Sequence, residues 1–144
     1  MTATLTVSFK NQLAEIERLG ETLTAFAQQQ GWSPQFLFET NVAIEELLTN
    51  IISYGYADEQ AHDITLRLSD ATTELTVEME DDGRPFNPLE QSAPDVTLPL
   101  EERKVGGLGI HLVRQFMTDL VYQRTEGENR ILLKKKHETQ TAKR

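Results

Sequence analysis

The sequence lacks cysteine, and it is poor in histidine and in basic residues. Without cysteine the chain can form no disulfide, thiolate metal site or cysteine nucleophile, and this composition suits a reducing cytoplasm. Its 14 lysines and arginines stand against 23 aspartates and glutamates, a formal net charge of −9. That charge repels nucleic-acid phosphates and favours protein partners with a basic surface, although solubility alone explains it equally well.

Long apolar runs are also missing. No stretch approaches the roughly 20 residues of a membrane span, and the N-terminus does not have the basic and apolar regions of a signal peptide. We therefore expect a cytoplasmic protein that binds neither membrane nor nucleic acid. The 144 residues fit a single domain from 1 to 144. Lysines from Lys134 onward make the end of the chain basic, and we expect a flexible tail at about 137–144.

The apolar periodicity predicts an α+β domain in the order strand, two helices, two strands, loop, helix, two strands. Helical spacing predicts a first helix capped by Asn11 and ended by Gly31, and a second from Pro34 to about Tyr54 with Ser33 as its cap. A third helix follows the glycines at 106–109 and runs to about Met117. Strands paired without regular β–α–β alternation favour a two-layer sandwich.

Two polar residues stand one turn apart in the second predicted helix. Glu46 and Asn50, at i and i+4, present a carboxylate and an amide side by side. The carboxylate could accept a proton from an attacking hydroxyl. The amide oxygen could bind Mg²⁺, which prefers oxygen ligands. Taken alone, a solvated polar stripe is the simpler explanation, and Glu45 is the neighbouring alternative.

Asp81 ends a row of apolar side chains in the second strand after this helix. Leu75, Val77 and Met79 point to one face of that strand, and Asp81 continues their row. A carboxylate there needs a partner, because burying it unpaired is costly. The exocyclic amine of adenine is one such partner, and a cap for the following turn is another role. Gly83 would let the backbone pass close to a flat base.

A glycine turn precedes the third predicted helix. The backbone N–H groups of Gly106, Gly107, Leu108 and Gly109 could hold phosphate oxygens at the helix start. Such a turn by itself more often serves flexibility, and neither a P-loop nor a dinucleotide fingerprint is present. Four of the five prolines fall within 84–105, which predicts a long loop of the kind that forms lids.

The order Glu-x-x-x-Asn, Asp-x-Gly, Gly-x-Gly resembles the N, G1 and G2 boxes of the GHKL ATPase/kinase superfamily. The text AIEELLTN (43–50), DDGRPFNP (81–88) and GGLGIHLV (106–113) further resembles bacterial anti-sigma-factor serine/threonine kinases. Those kinases are stand-alone domains that bind a sigma factor and phosphorylate an anti-sigma antagonist. The resemblance runs from Leu5 to Lys135. It implies a Bergerat-type ATP-binding fold with helices on a mixed, mostly antiparallel sheet.

The resemblance also implies a role for each motif residue. Glu46 matches the activating carboxylate, Asn50 the Mg²⁺ ligand and Asp81 the adenine-binding aspartate. The remaining nucleotide-binding matches are Gly83, Gly106, Gly107, Leu108 and Gly109, and the loop from Phe86 to Val105 matches the ATP lid. The chain departs from the usual pattern at Tyr54, at Val105 and at residues 127–130, where Gly-Glu-Asn-Arg replaces Gly-Thr.

The function that the resemblance implies is an ATP- and Mg²⁺-dependent serine/threonine protein kinase. It would act as an anti-sigma factor or a similar partner-switching regulator, with a sigma factor, an anti-sigma antagonist or both as partners. Homodimers are common among the proteins it resembles. The alternative is a non-catalytic regulatory module that binds its partner in a nucleotide-dependent way.

Overall fold

The computed structural model describes residues 2–87, 90 and 107–138. Eight elements occur there in the predicted order. They are β1 (Ala3–Lys10), α1 (Glu15–Gln30), α2 (Pro34–Tyr54), β2 (Asp63–Asp70), β3 (Glu74–Asp81), α3 (Gly107–Phe116), β4 (Asp119–Thr125) and β5 (Glu128–Lys136). Gly106 and nearly all of the expected lid lie outside the described residues.

The five strands form one sheet in the order β1-β2-β3-β5-β4. Each neighbouring pair is antiparallel, so the α+β class is confirmed and no parallel pair of the expected mixed sheet occurs in the described part of the chain. Because β5 lies between β3 and β4, the last residue of β3, Asp81, pairs directly with Asn129 at the start of β5.

One face of the sheet is apolar and packs against the helices. Strands β2, β3 and β5 alternate buried and more exposed residues, as a sheet with one covered face requires. Each large apolar side chain that is fully buried contributes about 1.5–3 kcal/mol to stability. The fully buried members include Leu19, Leu23, Ile44, Leu47, Leu48, Ile51, Ile64, Leu66, Leu68, Leu75 and Met79.

The other face of the sheet carries a cluster of opposite charges, which we call the outer-face charge cluster: Arg67, Glu78, Glu80 and Arg130. Arg67 lies between the two glutamates, with Nη1 3.1 Å from Glu78 Oε1 and in contact with Glu80. Arg130 Nη2 lies 2.6 Å from Glu80 Oε2. Neighbouring strands thus place unlike charges opposite each other, which favours the observed register.

The ends of the first two helices test the predicted caps. Ser33 Oγ accepts the Phe36 N–H at 3.1 Å, and Gly31 ends α1 with a positive φ of 72°, both as predicted. The prediction that Asn11 caps α1 is wrong, since α1 begins at Glu15. Asn11 Oδ1 instead accepts the His62 N–H (2.8 Å), because a tertiary bond to the start of β2 competes with a local cap.

The end of the chain is more closely packed than its basic composition suggests. Lys135 is 7% exposed, and its Nζ donates to Glu39 Oε1 (2.7 Å) and to the Phe116 carbonyl (2.9 Å). His137, where the expected tail starts, stacks on Phe36 with ring centres 4.5 Å apart. Residues 139–144 lie outside the described part. No helix in the described part is long and apolar enough to span a bilayer.

Candidate functional site

Glu46 and Asn50 lie in the second half of α2 and bond to each other. Asn50 Nδ2 donates to Glu46 Oε2 at 2.9 Å. Asn50 is 1% exposed and Glu46 is half-buried, whereas Glu45 is exposed. The pair is therefore not a solvated stripe, and Glu46 is the one of the two neighbouring glutamates that the helix directs toward Asn50.

The Glu46 carboxyl holds its proton more tightly than an ordinary glutamate. Burial raises its pKa, the hydrogen bond from Asn50 opposes that rise, and the like charge of Glu45 adds to it. Because its pKa is raised, the ionised carboxylate is a stronger base, and the pH at which it takes up a proton lies closer to neutral. This electrostatic setting suits a group that takes up a proton.

The orientation of the Asn50 amide leaves its oxygen outside the bond to Glu46. Nδ2 makes that bond, so Oδ1 stays available to a hard cation, which prefers oxygen ligands. The described residues contain no group of three or more histidines, aspartates and glutamates that could hold a metal ion. The Asn50 amide oxygen is the kind of donor that Mg²⁺ prefers.

Asp81 occupies the core-facing place that the strand pattern predicts. It is 5% exposed, and its Oδ1 accepts the Gly83 N–H and the Asn129 Nδ2, each at 2.9 Å. Burial raises the pKa of Asp81, while these two hydrogen bonds oppose the rise. Both bonds go to one carboxylate oxygen, and Asp82 faces outward as expected.

Gly83 joins the end of β3 to the end of α2. A Cβ at this position would lie 2.4 Å from the carbonyl oxygen of Gly55, so no larger residue fits without a shift. Arg84 strengthens the same junction, since its N–H donates to Gly55 (2.9 Å) and its Nε to the Tyr54 carbonyl (2.7 Å). The missing side chain of Gly83 therefore makes room for the protein's own backbone, a contact that local sequence patterns do not predict.

Residues of the β4–β5 hairpin also reach this junction, although they belong to none of the three sequence motifs. Asn129 is 2% exposed and donates from Nδ2 to the Arg84 carbonyl (2.9 Å) as well as to Asp81. Tyr122 donates its hydroxyl proton to Asn129 Oδ1. Arg124 Nη1 donates to the Gly83 carbonyl at 2.6 Å. Three strands thus meet around Asp81.

A usable signal for Asn129 is present in the sequence. Asn129, Ile131 and Leu133 are all buried on alternate positions of β5. Asn129 therefore continues an apolar row in the same way as Asp81, and strand alternation predicts that both face the core. Only the pairing of the two strands shows that the two residues are partners.

The glycine turn leads into α3, which packs against α2 and buries Ile110 and Val113. The backbone of residues 107–109 is helical, so Gly107 and Gly109 lie in the first turn. The predicted helix is confirmed and ends at Phe116, one residue before the expected end. Its first turn is the place where free backbone N–H groups can bind an anion.

A comparison with family models identifies the domain. The model described as the histidine kinase-like ATPase domain matches residues 9–135, which include every motif described above. The chain belongs to this family. Its fold is that of a histidine kinase-like ATPase domain.

Curated relatives of this histidine kinase-like ATPase domain include three differently named bacterial proteins. The serine/threonine-protein kinase BtrW of Bordetella bronchiseptica is 30% identical over 111 residues, 77% of this chain and 78% of the relative. The serine-protein kinase RsbW of Listeria monocytogenes is 26% identical over 95% of this chain and 88% of the relative. The anti-sigma F factor of Clostridium perfringens is 26% identical over 82% and 85%.

Proposed function

We propose that this chain is an ATP- and Mg²⁺-dependent serine/threonine protein kinase that acts as an anti-sigma factor or a similar partner-switching regulator. The observation that carries the proposal is the Glu46–Asn50 bond in a half-buried place on α2. It sets a candidate base beside a candidate Mg²⁺ ligand in a histidine kinase-like ATPase domain. The names of the related kinases support the same activity.

The nucleotide would bind from its base to its phosphates along the motif residues. The Asp81 carboxylate accepts a hydrogen bond from the exocyclic amine of adenine, and Gly83 lies in the turn that follows Asp81. Gly106, Gly107, Leu108 and Gly109 offer backbone N–H groups to the phosphates. Asn50 Oδ1 would hold Mg²⁺, which would supply charge neutralisation on the phosphates.

Glu46 acts in the transfer step. It accepts the proton of a serine or threonine hydroxyl on the partner, and the hydroxyl oxygen forms a bond to the γ-phosphorus. The bond from that phosphorus to the β–γ bridging oxygen breaks, and ADP leaves. Asn50 holds Glu46 Oε2 through its N–H, which keeps the carboxylate oriented toward the hydroxyl. Phosphoryl transfer depends mainly on such positioning and on charge stabilisation.

The partners that fit this kinase are a sigma factor, an anti-sigma antagonist or both, each with a basic contact surface. The net charge of −9 attracts such a surface and repels free nucleic acid. We further propose a cytoplasmic location and a homodimer as the working form of the single domain.

A non-catalytic module is the second candidate, and the departure at Tyr54 favours it. The resembled proteins often have histidine at this place. Here the residue is tyrosine, and its ring lies 5.9 Å from the Phe86 ring. The Tyr54 carbonyl accepts a hydrogen bond from Arg84 Nε. In this reading the nucleotide sets the shape of the domain for its partner, and no phosphoryl group is transferred.

Two measurements on the purified chain separate the candidates. Calorimetric titration with ADP and Mg²⁺ is expected to show a single binding site. A partner recovered from native lysate is then incubated with the chain and ATP labelled at the γ-phosphate. Label on a serine or threonine of the partner supports the kinase. Nucleotide and partner binding without label supports the module, and absence of nucleotide binding at millimolar concentration contradicts both.

A further inference from the structure

Asn129 lies where the resembled proteins have a different motif, and its side chain ends beside Asp81. The two residues are paired across β3 and β5, and both are at least nine-tenths buried. Asn129 Nδ2 donates to Asp81 Oδ1 at 2.9 Å. The bond therefore joins the candidate adenine-binding carboxylate to a strand that lies far from it in sequence.

The hydrogen bonds of Asn129 fix the orientation of its amide. Nδ2 has two protons, and they go to Asp81 Oδ1 and to the Arg84 carbonyl, both at 2.9 Å. Oδ1 accepts the hydroxyl of Tyr122. A rotated amide would turn its oxygen toward two acceptors, so the observed orientation is the one that satisfies the site. No N–H of this amide is left for a nucleotide base.

We propose that Asn129, held by Tyr122, is a positioning residue that fixes the Asp81 carboxylate by Oδ1 and presents Oδ2 to the amine of adenine. This inference rests on the proposed nucleotide-binding function. It assigns to the β4–β5 hairpin a part in base recognition that the three sequence motifs leave out. Asn129 acts on the base only through Asp81.

A purely structural role for Asn129 has different consequences. The backbone ladder between β3 and β5 runs along the whole of β3, from Glu74 to Asp81, and does not depend on this side chain. Removing the amide leaves that ladder and the Gly83 N–H bond to Asp81 Oδ1 in place. What it removes is one of two bonds that hold the carboxylate and favour its ionised form.

The other charged and titratable groups around Asp81 come from neighbouring elements. Asp82 raises its pKa and Arg124 lowers it. Tyr56, after α2, feels the charges of both aspartates, and its hydroxyl donates to Asp82 at 3.2 Å. None of these groups changes in an Asn129 variant. A shift in the titration of Asp81 in such a variant therefore reports the loss of the Asn129 bond.

The test compares wild type with Asn129→Ala, Tyr122→Phe and the control Gln123→Ala. Gln123 is an exposed amide on the same hairpin. Calorimetry with ADP–Mg²⁺ and GDP–Mg²⁺ measures base recognition, and carboxyl NMR of the free protein measures the titration of Asp81. We expect ADP affinity to fall about tenfold in Asn129→Ala, less in Tyr122→Phe, and not at all in Gln123→Ala. The preference for ADP over GDP should shrink in parallel.

The pH readout separates positioning from structure. In Asn129→Ala the Asp81 midpoint should move to higher pH, and ADP affinity should be lost at a correspondingly higher pH on acidification. An unchanged Asp81 midpoint or unchanged ADP affinity overturns the inference. If Asn129→Ala does not fold, Tyr122→Phe decides, since it keeps the amide and removes only its anchor. Wild type that binds no ADP overturns the proposed function, while the Asp81 titration still decides whether Asn129 holds that carboxylate.

Discussion

The carboxylates at the candidate site and those in the outer-face charge cluster are held in opposite ways. At the site, burial raises the pKa of Glu46 and Asp81, and the groups that bond to them are neutral amides and a backbone N–H. In the cluster, Arg67 and then Arg130 lower the pKa of Glu80. Glu80 and Asp81 are therefore neighbours on β3 whose pKa values are shifted in opposite directions.

The difference shows where the molecule gains stability and where it gives stability up. A carboxyl with a lowered pKa stabilises the fold once it is ionised. A carboxyl with a raised pKa destabilises the fold once it is ionised, because the unfolded chain solvates the charge better. Carboxyls with raised pKa values are frequent at functional sites, which agrees with the roles proposed for Glu46 and Asp81.

The largest expected effect comes from Glu46→Gln. This change keeps the hydrogen bond from Asn50 and removes the base, so phosphoryl transfer should fall by ~10²–10⁴-fold while ADP affinity stays nearly intact. Transfer of labelled γ-phosphate to the partner measures it. Glu45→Gln, the same change on the exposed neighbour, is the matched control. Equal loss in both variants would contradict the assignment of Glu46.

Asp81→Asn should weaken ADP binding by about 1–3 kcal/mol, the usual consequence of an unsatisfied buried polar partner. Asn keeps one oxygen that can accept from Asn129 and Gly83, but it presents an amide N–H to the adenine amine. Calorimetry with ADP–Mg²⁺ measures the change. Asp82→Asn, on the exposed neighbour, should bind as wild type does, and a loss of the same size there would argue against base recognition by Asp81.

The pH dependence of unfolding sharpens the comparison. The folded pKa of Asp81 lies above its ordinary value, so wild type should lose stability relative to Asp81→Asn as pH rises from the ordinary value through the raised one. Above that window the difference should stay constant. Urea unfolding of both proteins at several pH values checks the sign. If wild type instead becomes more stable relative to Asp81→Asn as pH rises, the Asp81 charge is compensated in the folded protein.

The smallest effect belongs to Glu80→Gln. The lowered pKa of Glu80 predicts that its contribution is complete above the ordinary glutamate value and is lost as pH falls through the folded pKa. Because both arginines are nearly half exposed, the variant should lose only ~0–1 kcal/mol at neutral pH. The same urea series measures it, and a difference that grows on acidification would contradict the ion-pair explanation.

Local patterns predicted those parts of the fold that depend on short-range periodicity and caps. Ser33 caps the start of α2 and Gly31 ends α1, both as expected, since each acts on backbone groups within a few residues. Asn11 has the right chemistry for a cap but forms its bond with His62, a residue on the far side of α2 in sequence. A cap prediction that uses only neighbouring residues does not include a partner that becomes adjacent in the folded structure.

The candidate site divides along the same line. Strand alternation placed Asp81 toward the core, and helix spacing set Glu46 beside Asn50. Neither pattern predicted that Asn50 is buried, because that depends on how the helices and strands pack around it. Neither predicted that Gly83 makes room for the Gly55 carbonyl, a contact between residues of separate elements.

The sequence by itself determined the order of the elements, the α+β class and the three motifs, because periods of 2 and 3.6 and short spacings are local properties of the chain. The tertiary structure alone decided that Asn129 is the partner of Asp81 and that Glu80 is the partner of two arginines. It did so because strand order brings β5 beside β3, and a hydrogen bond forms only where distance and burial exclude water as the alternative partner.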